Sequence, residues 1–364
     1  MNRNISRSWF LPKLLLQRAL KVVRSQIPTP QHWMVLYEQL RFTALARRER
    51  TDATRDYNVA VEHDEAIGRI ALQRPWVPIA DCSLRRHFPD RKWIMDKDRH
   101  QFHTNGYMVI RNVLPENITG NAVREIAGFV GAELSDSSTW YGGAPQLDGI
   151  VPMHHAQSLW DIRQSPNLYQ VFTEFFDNPR LIVDINRCIF RPPIHPGFPT
   201  LSHGTIHWDT DPRVPGPGSL QAVVLLTDVG RNDGGFQCLP DVYQNLQTWL
   251  QRYARRDDFD FFNPGLNNWK AKQIAGRAGD VILWSTKLPH GTATNSSNRP
   301  RIAAFVSMEP ALSNEDLRES MKTWWLTKRA PDYWRGLPGQ IDPEPGPPAL
   351  LSELGQKLVG LIPW

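Results

Sequence analysis

Between residues 181 and 308 the chain is broken into short β-rich runs by Pro and Gly clusters, and this texture restricts the fold more than any other feature. The runs 181–190, 220–226, 281–284 and 302–308 are β-branched and aromatic, and too short for core helices. Many short strands joined by turn-rich connections predict a sandwich or jelly-roll barrel. Helical pattern surrounds this region. Residues 116–134 read as a helix, and ahead of them Gly106 ends a helix and opens a strand at Tyr107-Met108-Val109-Ile110. Beyond residue 315 the chain is helical again and then Pro-rich over 337–348.

With 364 residues the chain buries a sizeable core, and 41% hydrophobic against 22% charged residues is ordinary for a globular protein. No apolar run approaches the length of a membrane span. The three cysteines, Cys82, Cys188 and Cys238, are widely spaced, which fits buried thiols in a reducing compartment and neither a disulfide framework nor a thiolate metal site. A cytoplasmic location is expected.

The net charge of +5 is unevenly distributed. Residues 1–50 carry ten Lys/Arg against Glu38 and Glu49, a balance of +8, so the other 314 residues carry about −3. A nucleic-acid reader would place its basic face on the folded body, so no nucleic-acid partner is expected. The arm itself reads as an amphipathic helix over 12–25. Lys13, Gln17, Lys21 and Arg24 form its polar stripe, and Leu15, Leu16, Ala19, Leu20, Val22 and Val23 its apolar side. Such a helix can pack on the body, lie on an anionic membrane or acidic carrier, or serve as an organellar presequence, and these uses stay open. Residues 50–97 read as linker, punctuated by Arg74-Pro75-Trp76-Val77-Pro78 and Phe88-Pro89-Asp90.

Metal chemistry is suggested by Thr205-Ile206-His207-Trp208-Asp209. On a strand, His207 and Asp209 project from one face while Trp208 points away. One more His from another strand would complete two imidazoles and a carboxylate with open positions for small ligands. His290, in Leu288-Pro289-His290-Gly291-Thr292, follows a turn and strand at Gly279-Asp280-Val281-Ile282-Leu283-Trp284 and fits that place. A lone His-x-Asp is weak evidence. It gains weight from Arg301, eleven residues after His290 at the start of a strand, where an antiparallel return brings a guanidinium beside the pocket to clamp a dicarboxylate.

These residues carry a resemblance. Ile206-His207-Trp208-Asp209, Gly234-Gly235-Phe236-Gln237-Cys238-Leu239-Pro240, Ala278-Gly279-Asp280, Leu288-Pro289-His290-Gly291 and Arg299-Pro300-Arg301 resemble, in order and spacing, the phytanoyl-CoA dioxygenase-like family of iron(II)/2-oxoglutarate-dependent oxygenases. The stretch Ile185-Asn186-Arg187-Cys188-Ile189-Phe190-Arg191-Pro192-Pro193 adds to it, and the resemblance covers about residues 98–312. It implies a double-stranded β-helix (a cupin-like jelly roll, mainly β with flanking helices) over 98–312, between a basic extension over 1–97 and a C-terminal extension over 313–364. It implies iron(II) on His207, Asp209 and His290, dioxygen as co-reactant, and 2-oxoglutarate with its distal carboxylate on Arg301 and Thr292. The implied reaction hydroxylates an unactivated C–H of a small molecule and releases succinate and CO2. Asp209 disfavours halogenation, because related halogenases have a small residue there to admit chloride. Where the family often has Pro-Gly-x-His, this chain reads Pro240-Asp241-Val242-Tyr243, a departure expected to affect a turn away from the ligands.

Candidates for the substrate side are His155 and Trp160, in Met153-His154-His155-Ala156-Gln157-Ser158-Leu159-Trp160, and Arg187 on an inward-alternating strand. Two other functions stay open: an oxygenase acting on a carrier- or membrane-held acyl group docked by the basic arm, and a non-catalytic interaction module that keeps the fold.

Overall fold

The computed structural model describes residues 91–142, 149–198, 205–214, 219–255, 259–311, 315–328 and 348–364. All belong to a compact unit, Trp76–Trp364. The basic arm, the linker punctuations, Cys82 and the Pro-rich stretch 337–347 lie outside the described residues. Among the described residues no helix is long and apolar enough to cross a membrane.

Six strands form an antiparallel sheet. In chain order they are β1 Tyr107–Ile110, β2 Ile150–Val151, β4 Cys188–Arg191, β5 Leu220–Leu225, β8 Val281–Ser285 and β10 Arg301–Phe305. Their spatial order is β1-β8-β5-β10-β4-β2. A second sheet contains β6 Phe236–Cys238, β7 Lys272–Gln273 and β9 His290–Thr292 in the order β7-β6-β9, and β3 Leu181–Val183 pairs with β11 Met308–Pro310.

Strand alternation divides the apolar residues between two cores. One face of the large sheet sends Met108, Ile110, Cys188, Phe190, Ala222, Val224, Val281, Leu283, Ile302 and Ala304 into a core shared with the helices. Those helices are α1 Asp96–Asn105, α2 Glu116–Phe129, α3 Gln157–Arg163, α4 Pro166–Phe176, α7 Glu315–Thr327 and α8 Glu353–Val359. The other face sends Tyr107, Ile189, Val223, Leu225, Ile282, Trp284 and Ala303 against Phe236 and Cys238 of the small sheet. Two helices between β6 and β7, α5 Pro240–Gln244 and α6 Leu246–Tyr253, help to form a third cluster with Ile206 and Trp208. The chain is thus a jelly roll with flanking helices, and the expected fold is present.

Two of the expected strands are each divided. The run 181–190 becomes β3 and β4, and 302–308 becomes β10 and β11. The break falls at Asp184–Arg187, where the Asn186 side chain accepts a hydrogen bond from Arg187 N–H at 2.8 Å and Asp184 N–H donates to Ser307 O at 2.9 Å. A short polar side chain that bonds the backbone locally, here Asn186, competes with the ladder, and the chain changes sheet there. The helix over 116–134 ends early, at Phe129.

Ala278-Gly279-Asp280 acts as a structural tie. Gly279 O accepts from Val113 and Leu114 N–H at 2.8 and 3.1 Å, and Gly279 N–H donates to Leu225 O at 2.8 Å. The buried Asp280 carboxylate accepts from Asn112 N–H, Arg277 N–H and the Arg111 guanidinium. Three strands are pinned at this turn. Gly279 has φ +87°, and a Cβ there would lie 2.3 Å from Leu114 O. We predict that Gly279→Ala costs about 2–5 kcal/mol from left-handed strain plus overpacking, read as a lowered denaturation midpoint; an unchanged midpoint would contradict this tie.

Candidate metal centre

His207 and His290 face one another in an antiparallel bridge and exchange backbone hydrogen bonds, each 2.9 Å. Gly291 makes this approach feasible, since a Cβ there would lie 2.0 Å from Thr205 O. The extended backbone puts His207 and Asp209 on one face, and Trp208 goes to the other. Trp208 is fully buried, donates from its indole to Lys287 O at 2.9 Å, and packs on Trp249 of α6 and on Phe259.

One nitrogen of each His and one Asp209 oxygen all lie within 4.8 Å of one another. His207 Nε2 is 3.2 Å from Asp209 Oδ1, and His290 Nε2 is 3.3 Å from Oδ2. Each Nδ1 meets a backbone carbonyl, Thr205 O at 3.1 Å for His207 and Leu288 O at 3.0 Å for His290. A carbonyl can only accept, so each Nδ1 carries a hydrogen, and a neutral ring then presents a lone pair at Nε2. Two lone pairs facing a carboxylate are stable only with protons or a metal cation between them. Carbonyl-oriented imidazoles are also the usual outer support of metal-ligating histidines. Burial pulls the Asp209 carboxyl upward, but hydrogen bonds and charge from His207 and His290 outweigh it and hold it well below the usual carboxylate range.

Around the triad, Gln221 on β5 donates from Nε2 to Asp209 Oδ2 at 2.7 Å. Phe236 stacks on His290 (centroids 5.8 Å apart, planes at 18°), and Trp284 lies 5.1 Å from the same ring. These aromatic walls keep water from one side of the centre.

Farther along the same interior, Arg301 on β10 stands opposite Arg191 on β4, each 2% exposed. Arg191 Nη2 donates to Thr292 Oγ1 at 3.2 Å, and Thr292 shares a strand face with His290. Arg301 Nε and Nη1 have no hydrogen-bond partner among the described residues. Burial first, then the Arg191 charge, push the Arg301 guanidinium down to about 9, so it keeps its charge near neutrality. Buried donors with no acceptor are costly, and Arg301 is suited to an anionic ligand.

The candidate substrate residues are less closely grouped. Arg187 lies one residue before β4, is half-buried, and its charge acts on His154, Asp184 and Cys188. The His155 ring meets that of His154 edge-on at 4.5 Å. Trp160 is 1% exposed in the helical core, under the Arg163 guanidinium at 4.8 Å. The segment expected to be a turn at 240–243 is instead the short helix α5, for which Pro240 supplies a suitable first residue. It begins two residues after Cys238, which pairs with His290, and Leu239 N–H donates to Pro289 O.

Sequence reasoning missed Arg191 and Gln221. Both were signalled by alternation: Arg191 has the parity of Arg187 and Ile189, and Gln221 is the polar interruption of an apolar run.

A jelly roll with two imidazoles and one carboxylate on its inner wall, and buried cations farther along, is the frame of a mononuclear non-haem metal enzyme that takes an anionic cosubstrate. The model of the phytanoyl-CoA dioxygenase family matches residues 102–303, and the chain belongs to this family. Its cofactors are iron(II), 2-oxoglutarate and dioxygen, and the donor set described above fits them. A Dictyostelium discoideum protein named provisionally as a phytanoyl-CoA dioxygenase is 26% identical over 60% of this chain and 76% of its own length. Ava biosynthesis cluster protein O of Aspergillus versicolor is 23% identical, covering 63% of this chain and 80% of its own. The crystal structure of GlcNAc Inducible Gene 2 from Candida albicans shares the fold, with TM-score 0.57 at 12% identity over 82% of this chain and 85% of that one.

Gly291→Ala should force the 205–207 backbone away from β9 and lower manganese(II) affinity by at least about tenfold, the equivalent of ~1.4 kcal/mol, while far-ultraviolet circular dichroism is retained. Wild-type affinity in this variant would contradict the close approach of the two segments.

Proposed function

We propose that the protein hydroxylates a small molecule at an unactivated C–H, with iron(II) held by His207, Asp209 and His290 and 2-oxoglutarate held by Arg301 and Thr292. The observation that carries this reading is the pairing of two carbonyl-oriented imidazoles on one carboxylate with a buried Arg301 whose Nε and Nη1 meet no acceptor among the described residues. Iron(II) with 2-oxoglutarate and dioxygen supplies the oxidising power that removes a substrate hydrogen, with succinate and CO2 as co-products.

This chain's own residues have three tasks in that reaction. Thr205 and Leu288 carbonyls fix the ring orientations, and Gln221 holds one oxygen of Asp209, so the ligand set is in place before anything binds. Arg301 neutralises the far carboxylate in a site shielded from solvent. Phe236, Trp284 and Leu288 keep the interior dry. On the substrate side, the half-buried Arg187 beside β4 is the group we assign to a substrate carboxylate, with His155 as a second contact. A biosynthesis-cluster relative supports a small-molecule substrate.

Anaerobic addition of iron(II) and 2-oxoglutarate should produce the visible charge-transfer band of the chelate, and His207→Ala should abolish it. No band in the intact protein would refute the proposal. Succinate release with and without candidate small molecules then identifies the substrate.

A further inference from the structure

We propose that Gln221 and Trp284 form a two-point clamp beside the metal ligands, which selects a substrate bearing a neutral hydroxyl or amide next to the C–H to be oxidised. This rests on the function proposed above and adds to it a substrate class and the two residues that recognise it.

Register brings the two side chains together. Gln221 is the one polar residue of β5, and it stands directly opposite Trp284 of β8. Opposed residues of an antiparallel pair project from the same face, with their Cβ atoms about 5 Å apart. That face is the interior one, which also holds Val223, Leu225 and Ile282. Both side chains reach the metal ligands. Gln221 Nε2 donates to Asp209 Oδ2 at 2.7 Å, and the Trp284 ring lies 5.1 Å from that of His290.

Each side chain keeps one polar atom unmet. Gln221 Oε1 and Trp284 Nε1 are both buried and have no hydrogen-bond partner among the described residues. Chemistry fixes which end of the amide is left over. A carboxylate only accepts, so the nitrogen faces Asp209 and the oxygen is the spare atom. What remains is one acceptor and one donor on facing residues, in a wall otherwise apolar. A buried polar atom without a partner costs about 1–3 kcal/mol, so two of them side by side mark the place of a ligand group.

The clamp is also separate from the far end of the cosubstrate. Ala303 of β10 stands opposite Leu225, so Gln221 lies four residues further along β5, in the direction leading away from Arg301. A carboxylate suits this place badly, because it accepts from Trp284 and repels Gln221 Oε1. A hydroxyl satisfies both atoms through one oxygen, and an amide does so through its oxygen and nitrogen. Sites built to hydrogen-bond a substrate O–H or N–H reject analogues that lack it.

The test uses the full chain loaded with zinc(II) and 2-oxoglutarate, both verified by calorimetry, with isotope-labelled tryptophan and glutamine. The indole N–H resonance of Trp284, assigned by its absence in Trp284→Phe, is titrated with 2-propanol, acetamide and acetone. The three probes are alike in size, and acetone alone has no donor. At least one of 2-propanol and acetamide should shift the resonance saturably, with an affinity about 3- to 10-fold above that of acetone. The tighter of the two tells hydroxyl from amide. Gln221→Met should erase this preference and leave acetone binding nearly unchanged, since acetone uses only the indole.

No saturable shift with any probe means a clamp that holds a structural water only, and overturns the proposal. Acetone binding as tightly as both donor probes overturns it equally, as does a preference that survives in Gln221→Met. Should Gln221→Met fail to fold or to bind zinc(II), Trp284→Phe decides, read at the side-chain amide of Gln221. There 2-propanol or acetamide must act at lower concentration than acetone, and an equal response sinks the proposal. If the intact protein does not bind zinc(II) and 2-oxoglutarate together, the function proposed above fails; binding of both without a probe response defeats this inference alone.

Discussion

The whole site depends on one backbone contact, the bridge in which His207 and His290 exchange hydrogen bonds. Residue 207 sits in a short extended segment outside the named strands, and 290 opens β9. Their side chains converge because this bridge fixes the register, and the register survives because Gly291 lets the Thr205 carbonyl come close. Everything nearer the chemistry inherits that geometry. The carbonyls that orient the imidazoles belong to residues two positions before each His, so backbone path and ring tautomer are set together. Asp209 then needs one further restraint, which Gln221 provides from the facing sheet.

The interior between the sheets is apolar near its centre and charged along one stretch. Ile189, Val223, Leu225, Ile282 and Ala303 fill the middle, while Arg191 and Arg301 lie beside them. Burying two guanidinium groups opposes folding, so the neighbouring apolar packing and the Gly279–Asp280 tie must offset it. That is the arrangement expected where a site is organised before its ligand arrives.

Much of this was legible in the sequence, for definable reasons. The His-x-Asp spacing works because strand parity is local, and Arg301 was found from its place at the start of the strand after His290, although the expected antiparallel return is absent: β9 and β10 lie in different sheets. The double-glycine and Ala-Gly-Asp motifs mark positions where backbone and side chain must meet closely. What escaped needed register between distant segments. Arg191 gains its meaning from standing opposite Arg301, and Gln221 from facing Asp209. Both partnerships depend on strand order, which no single run of residues specifies. The division of 181–190 between two sheets was hidden for a related reason: its apolar residues are nearly continuous, and only the bond from Arg187 N–H to the Asn186 side chain marks the change of sheet. Trp160 shows the opposite problem. Its neighbourhood is chemically rich in sequence, yet the α3 packing places the ring in the helical core.

The central claim is the position of one metal ion and one dicarboxylate. A crystal structure with manganese(II) and 2-oxoglutarate, determined without oxygen, tests this directly. The expected result is one ion per chain, bound by Nε2 of His207, Nε2 of His290 and an Asp209 oxygen, with the distal carboxylate of 2-oxoglutarate against Arg301. An ion elsewhere, or a distal carboxylate turned away from Arg301, would contradict it.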